Sequence, residues 1–391
     1  MNNLGTLIKF EWKKLLQKKL VKASILVVIF LQVMSNLSFL MQYYSVYITD
    51  DQGNSQEVSF RSGYEKMLDD REDAWALDGR KVDDAMLREM AESYSSYTPR
   101  DKYSQINYIV RNITGDWNDE VKEGKMYEEY RYNRKSSLES FFLSQREMEY
   151  WEKEMEKIET PFTYHYAFAW EKILDNQCAG TALMMIMLLA VCLAGMFSEE
   201  SRLKTNHLIS SAKNGKSPAY LAKVVVGISF GILATLVLYG ITFGFHFYFY
   251  GTKGFHAILQ QNIIYSPYPI SVGQAVLLMF GITVLIGVLE SMFAMFLSLV
   301  LNNNLAAMAV VVGILMLTSI VHVPERYRVL SQIWQLIPVG TVGTGAFFDG
   351  RMVKFFGVFF TNFQVAAILY VVGTVVFFFI GKSRHNASYL P

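Results

Sequence analysis

The chain has 391 residues, 52% of them hydrophobic and 15% aromatic, with a formal net charge of +1. A near-neutral chain with no basic patch interleaved with aromatics excludes a nucleic-acid binder. The apolar residues stand in runs long enough to cross a bilayer, about 20 residues each, which argues against a set of soluble domains.

Met1 to Lys22 is basic, with Lys9, Lys13, Lys14, Lys18, Lys19 and Lys22 against Glu11. Leu4, Ile8, Trp12 and Leu15 recur at helical spacing. The pattern predicts a cytoplasmic amphipathic helix over 1–22, lying in the interface with its lysines toward anionic headgroups. A signal peptide is the competing reading. The basic part is too long for one, and the apolar run 23–44 is too long and lacks a small-residue cleavage site. Residues 23–44 therefore read as the first span, with Tyr43, Tyr44 and Tyr47 as interface anchors.

Residues 45–175 hold 29 of the 35 acidic residues and 18 of the 36 basic ones. They read as a soluble, mainly helical insertion that contains no cysteine and must fold on its own core. Arg131 to Ile158 favours helix. Phe141, Phe142, Met148, Trp151 and Met155 offer an apolar stripe there, with Glu147, Trp151 and Met155 interrupting its period. Tyr94, Tyr97, Tyr103 and Tyr108 form a tyrosine-rich patch, read first as packing and second as a peptide or headgroup surface. Asn112-Ile113-Thr114 matches a glycosylation sequon and is read as chance.

The second span is 178–197, and a polar loop follows at 198–222. The third span, 223–250, ends in aromatics from Phe243 to Tyr250. Gly227/Gly231 and Gly240/Gly244 have the spacing of close helix contacts. Residues 251–274 make an outer connection, 275–301 the fourth span, Asn302-Asn303-Asn304 a tight turn and 305–323 the fifth span. Residues 324–354 read as short helices dipping into the outer leaflet. The sixth span is 355–380 and the tail 381–391. The predicted fold class is an all-α polytopic membrane protein with six transmembrane helices, an N-terminal interfacial helix and a mainly helical extracytoplasmic domain between the first two spans. The basic leader, Arg202, Lys204, Lys213 and Lys216 in the loop, and Lys382 and Arg384 in the tail outweigh the few cations of the short outer regions. That bias puts both termini in the cytoplasm and the acidic insertion outside.

Catalytic signatures are missing: there is no HExxH, no paired cysteine motif and no serine triad. Gly215-Lys216-Ser217 and Gly381-Lys382-Ser383 lack the upstream glycine of a phosphate loop, because Ser210 and Val376 stand there. Neither can be a Walker A loop, so ATP, if it drives this protein, is expected on another chain. Glu290 is the one acid deep in an apolar span, where a charge costs about 2.5 kcal/mol or more. It reads either as a substrate-path residue or as a packed, neutral one. Lys223 reads as a lysine snorkelling to the boundary. Gln32, Asn36, Asn362 and Gln364 are expected to hydrogen-bond between helices, and Cys178 and Cys192 to pack as small apolar residues.

The loop brings a resemblance. Phe197-Ser198-Glu199-Glu200, then Thr205, Leu208-Ile209-Ser210-Ser211, Asn214-Gly215-Lys216 and Ala222-Lys223 resemble the first cytoplasmic loop of ABC-2-type (type V) exporter permeases. Pro161 to Asp175 resembles the lead-in to the second span in one branch of that family. The resemblance extends to the basic leader, the six-span layout and the outer insertion. It implies a permease subunit in a bacterial plasma membrane, paired with a second permease subunit as a homo- or heterodimer. It also implies a separate ABC ATPase subunit that binds ATP and Mg. The ATPase-coupling residues would be Glu199, Glu200, Arg202, Thr205, Leu208, Asn214, Gly215 and Lys216, with Glu290 on a possible substrate path. Cargo in the family includes peptides, lipids, polysaccharides and drugs. The acidic, tyrosine-rich outer surface leans toward a cationic or amphipathic peptide. Two readings of other classes compete: a membrane-anchored receptor with an outer ligand-binding domain, and an intramembrane hydrolase using Glu290. The hydrolase needs a second catalytic group at the same depth, and the sequence offers none.

Overall fold

A computed structural model describes residues 3–38, 47–49, 55–57, 60–95, 102–114, 124–203, 216–355 and 357–387. The described chain is mostly helical. α1 (Asn3–Gln17) and α2 (Lys19–Leu37) are separated only by Lys18, whose backbone is extended. Tyr43 and Tyr44 lie outside the described residues. Next come a short hairpin of β1 (Tyr47–Thr49) with β2 (Ser55–Glu57), and the helices α3 (Phe60–Trp75), α4 (Asp84–Ser95), α5 (Ser104–Thr114), α6 (Met126–Glu139) and α7 (Gln145–Met155). α8 (Phe168–Lys172) runs through one π-helical turn, Ile173–Gln177, into α9 (Cys178–Leu193). The one-turn helix α10 (Ser198–Arg202) follows. α11 (Lys216–Tyr250), α12 (Val272–Leu301) and α13 (Asn304–Ile320) are apolar. α14 (Arg328–Gln335) and α15 (Pro338–Thr341) are short, and α16 (Asn362–Ala387) closes the chain.

Among the described residues, five helical stretches are long and apolar enough to cross a membrane: Lys19–Leu37, Phe168–Glu200, Ser217–Tyr250, Val272–Leu301 and Asn362–Ala387. α13 is apolar but has only 17 residues, about 26 Å at 1.5 Å per residue. The apolar helices form one bundle with α12 at its centre, packed against α9, α11, α13 and α16. α11 meets α12 through small residues. A Cβ on Gly231 would lie 2.7 Å from the Gly287 carbonyl oxygen, and one on Gly227 would strike Met295. Gly240 and Gly244 face open space, so only the first glycine pair makes a close crossing.

The three asparagines after α12 divide the work of one turn. Asn302 takes a left-handed conformation, φ +49°, and stops the helix. Asn303 caps α13, its Oδ1 accepting from the backbone N–H of Leu305 and Ala306 at 2.9 and 3.2 Å. Asn304 reaches across to Ser198.

The insertion folds over the opposite end of the bundle. α5 buries Ile106, Ile109, Val110 and Ile113, the apolar spacing of a one-faced helix. α7 differs from the sequence expectation. Trp151 and Met155 are buried, as the expected stripe requires, but they share that face with buried Glu147, and Phe142 of the stripe stands exposed before the helix. The reason is polar compensation. Ser144 is the N-cap of α7 and Glu147 its capping-box partner, accepting from the Ser144 N–H and hydroxyl at 2.7 and 2.6 Å. Its carboxylate also takes two bonds from Arg328 at 2.6 Å and one from the Met352 N–H at 2.8 Å. Trp151 Nε1 donates to the Gly350 carbonyl at 2.6 Å. Tyr265 Oη donates to the Asn112 carbonyl at 2.5 Å. The insertion is thus stitched to both connections at its end of the bundle.

The sixth apolar helix starts later than expected. β3 (Met352–Phe355) pairs antiparallel with β4 (Val358–Thr361), in place of the first turns of a span from 355. Valine and phenylalanine favour strand there, and Gly357 takes φ +89° in the turn. Among the four amides expected between helices, Gln32 donates from α2 to Thr181 and Thr242 at 2.9 and 2.7 Å. Asn362 donates to Asp349 at 2.8 Å and accepts from Gln332 at 2.9 Å. Asn36 instead bonds within its own helix, and Gln364 to the N-terminal end of its own helix at Thr361. Cys178 and Cys192 are buried free thiols.

Candidate functional site

At the end of the bundle opposite the insertion, α1 and α11 converge on one glutamate of α10. Phe197 and Ser198 turn the chain out of the apolar run and into α10, which places Glu199 and Glu200 in the first turn of that helix. Both backbone N–H groups of Phe197 and Ser198 donate to the Ser298 hydroxyl of α12, at 3.2 and 3.1 Å. The Ser198 hydroxyl meets the Ala194 carbonyl at 3.0 Å and the Asn304 side chain at the start of α13. Gly195 leaves room for this contact, because a Cβ there would press on Glu199 and Asn304.

Glu200 faces inward. Its Oε1 accepts from Lys223 Nζ of α11 at 2.7 Å and from Lys14 Nζ of α1 at 2.8 Å. Lys223 is fully buried; it also donates to the Met196 carbonyl at 2.9 Å and approaches Glu11 at 3.5 Å. Its ammonium lies 5.3 Å from the centre of the Phe197 ring. A buried ammonium is tolerated only when its hydrogens are satisfied and its charge is met. Lys223 has both, so it is a paired core residue and not the snorkelling lysine expected. Glu199 pairs with Lys18 at 2.7 Å. Burial works against the Lys14 ammonium, but the Glu200 carboxylate more than offsets it and holds the Lys14 pKa above the ordinary lysine value.

The predicted coupling residues therefore separate. Glu199, Glu200 and Arg202 lie on α10. Glu200 is engaged inside the chain, which leaves it no free face for a partner, while Arg202 and Leu203 are exposed. Lys216 opens α11, seven residues before the expected start of that span. Thr205, Leu208, Asn214 and Gly215 lie outside the described residues. Glu11, Lys14, Lys18, Ser298 and Asn304 complete the cluster and were not anticipated. Glu11 carried a signal, as the one acid among six lysines of the leader.

Glu290 sits apart, on α12. It borders a small cavity of about 30 Å³ with Phe293, Val311, Leu315, Thr318 and Pro338. That is room for about one water. Among the described residues no ion pair or hydrogen bond reaches its carboxyl group. The two glutamates thus differ in kind: Glu200 is held by lysines of α1 and α11, and Glu290 faces a space.

Comparison with protein-family models, curated proteins and solved structures gives no match.

Proposed function

We propose that the chain is the membrane subunit of an ATP-driven exporter. In this reading it has six spans, with α13 as the fifth. Both termini and α10 are cytoplasmic, the insertion is outside, and two such subunits pair in a bacterial plasma membrane. A separate ATPase subunit binds ATP and Mg and acts on the surface around α10. The anchorage of α10 carries the reading. One turn of helix is joined to α1 and α11 by ion pairs and to α12 and α13 by hydroxyl bonds. A force on α10 would therefore reach four helices together. Arg202 and Leu203 remain exposed for a partner. Glu290, unpaired beside its cavity, supports a place on the substrate path, and an amphipathic peptide is the proposed cargo.

The test is affinity purification of the intact complex from native membranes in mild detergent, assayed for ATP hydrolysis. An ATPase should co-purify and be lost in Arg202→Glu with Leu203→Glu, with the amount of membrane subunit unchanged. A chain that purifies without ATPase, and that supports no ATP-dependent efflux, would remove the exporter reading.

One observation favours a receptor instead. A cavity of about 340 Å³ lies between the insertion and the connection after α11, lined by Lys157, Thr163, His165, His256, Gln260 and Ser271. Pockets at such junctions commonly hold ligands. Ligand binding there with no ATPase partner would support that second reading.

A further inference from the structure

The same end of the bundle carries an apolar groove that the charge cluster does not use. α1, α2 and α11 splay around it, with Trp12, Ile25, Ile29, Phe230, Ala234 and Val237 among its walls, and it encloses about 200 Å³. The Trp12 ring closes one end, 6.1 Å from Phe230. Beside that end lysines outnumber glutamates, and Glu11, Glu199 and Glu200 are each paired with a lysine. Lys14 and Lys18 are engaged by Glu200 and Glu199. Lys9 and Lys22 are exposed, and neither makes an ion pair among the described residues. Lys9 precedes Trp12 by three residues on α1. Lys22 precedes Ile25 by three and Ile29 by seven, which puts it on the same face of α2 one turn beyond the groove.

We propose that this groove holds an acyl chain of an anionic diacyl phospholipid, with the phosphate of its headgroup bound by Lys9 and Lys22. A second copy of the chain is a poorer occupant. A two-fold interface sets the same patch against itself, and lysines would then face lysines. An anionic lipid satisfies both halves at once, apolar walls and unpaired cations. Because Trp12 and Lys14 lie on one helix, the bound lipid would brace α1 where it clasps α10. The inference rests on reading these helices as membrane-spanning. It does not require the chain to be an exporter, and its test measures binding rather than transport.

The experiment uses the full chain purified in detergent and follows tryptophan fluorescence. Phosphatidylglycerol with brominated acyl chains is compared with brominated phosphatidylcholine, and Trp12→Phe isolates the Trp12 component by difference. Phosphatidylglycerol should quench Trp12 at roughly tenfold lower mole fraction, since each lysine near an anionic surface adds a severalfold preference. Lys9→Gln with Lys22→Gln should abolish that preference, and Ala234→Phe should fill the groove and remove quenching by both lipids. Both lysines are exposed, so the double variant remains informative if Ala234→Phe fails to fold. Equal quenching by the two lipids would mean ordinary surrounding lipid and would overturn the site. A preference that survives loss of both lysines would overturn it as well.

Discussion

Lys223 carries its charge into a fully buried position, and two glutamates decide whether that position is tolerable. Taking an ion out of water costs several kcal/mol even after relaxation, and breaking a buried pair costs about 3–5 kcal/mol. The favourable term between a carboxylate and the start of a helix is only about 0.3–1 kcal/mol. Pairing therefore outweighs the helix dipole at Glu200. Glu200→Gln should lower the thermal midpoint of the purified protein clearly, and Glu200→Leu with Lys223→Leu should recover most of the loss. A melt of Glu200→Gln equal to wild type would show that the pair is not structural. Glu200→Lys, which a partner-facing glutamate would tolerate, should instead reduce the amount of folded protein, since it sets a third cation beside Lys14 and Lys223. Glu147 gives the pH-dependent counterpart. Its burial raises its pKa, but hydrogen bonds from Arg328, Ser144 and the Met352 N–H outweigh that and hold the carboxyl below its usual value of 4.5. A lowered folded value stabilises above the unfolded pKa and is lost as pH falls through the folded one. The wild-type midpoint should therefore drop below about pH 4.5 more steeply than that of Glu147→Gln. Parallel acid titrations of the two proteins would rule the effect out.

At the scale of elements, the apolar runs were plain in the sequence because a bilayer-length helix needs only length and composition. The turn at Asn302 to Asn304 was legible for a similar reason: asparagine tolerates the left-handed conformation and caps helices. The face of α7 was not. Spacing alone cannot tell a buried glutamate from a solvated one, because the guanidinium and the Met352 N–H that complete the bonding of Glu147 are 181 and 205 residues away in sequence. Lys223 and Glu200 escaped for the same reason, their partners lying on three separate helices. The pairing of β3 with β4 was hidden inside an apolar run that reads equally well as helix. The glycine pairs show the same limit, since identical spacing yields one close crossing and one open face. Gly231→Val should cost about 1–3 kcal/mol by overpacking against α12, whereas Gly244→Val should leave the melting temperature nearly unchanged. Equal destabilisation by the two changes would contradict the α11–α12 crossing.

For the whole molecule, the arrangement predicts opposite exposure of its two ends. Tyr132 on α6 and Leu203 after α10 are both well exposed. With the native cysteines buried, Tyr132→Cys should react with an impermeant thiol reagent on intact cells, and Leu203→Cys only after permeabilisation. The reverse pattern would invert the topology. The bond between Glu147 and Arg328 has a further consequence, in time rather than space. The two residues are 181 positions apart, and a ribosome adding about 5–20 residues per second separates their synthesis by roughly 9–36 s. On the proposed topology, the nascent insertion crosses the membrane during that interval with a carboxylate and an indole whose distant partners, Arg328 and Gly350, have not yet been made. Its maturation must wait for the segment that carries Arg328 and Gly350. A chain truncated before Arg328 should thus display a protease-sensitive insertion even though residues 45–175 are intact, and co-expression of 324–391 as a separate fragment should restore resistance.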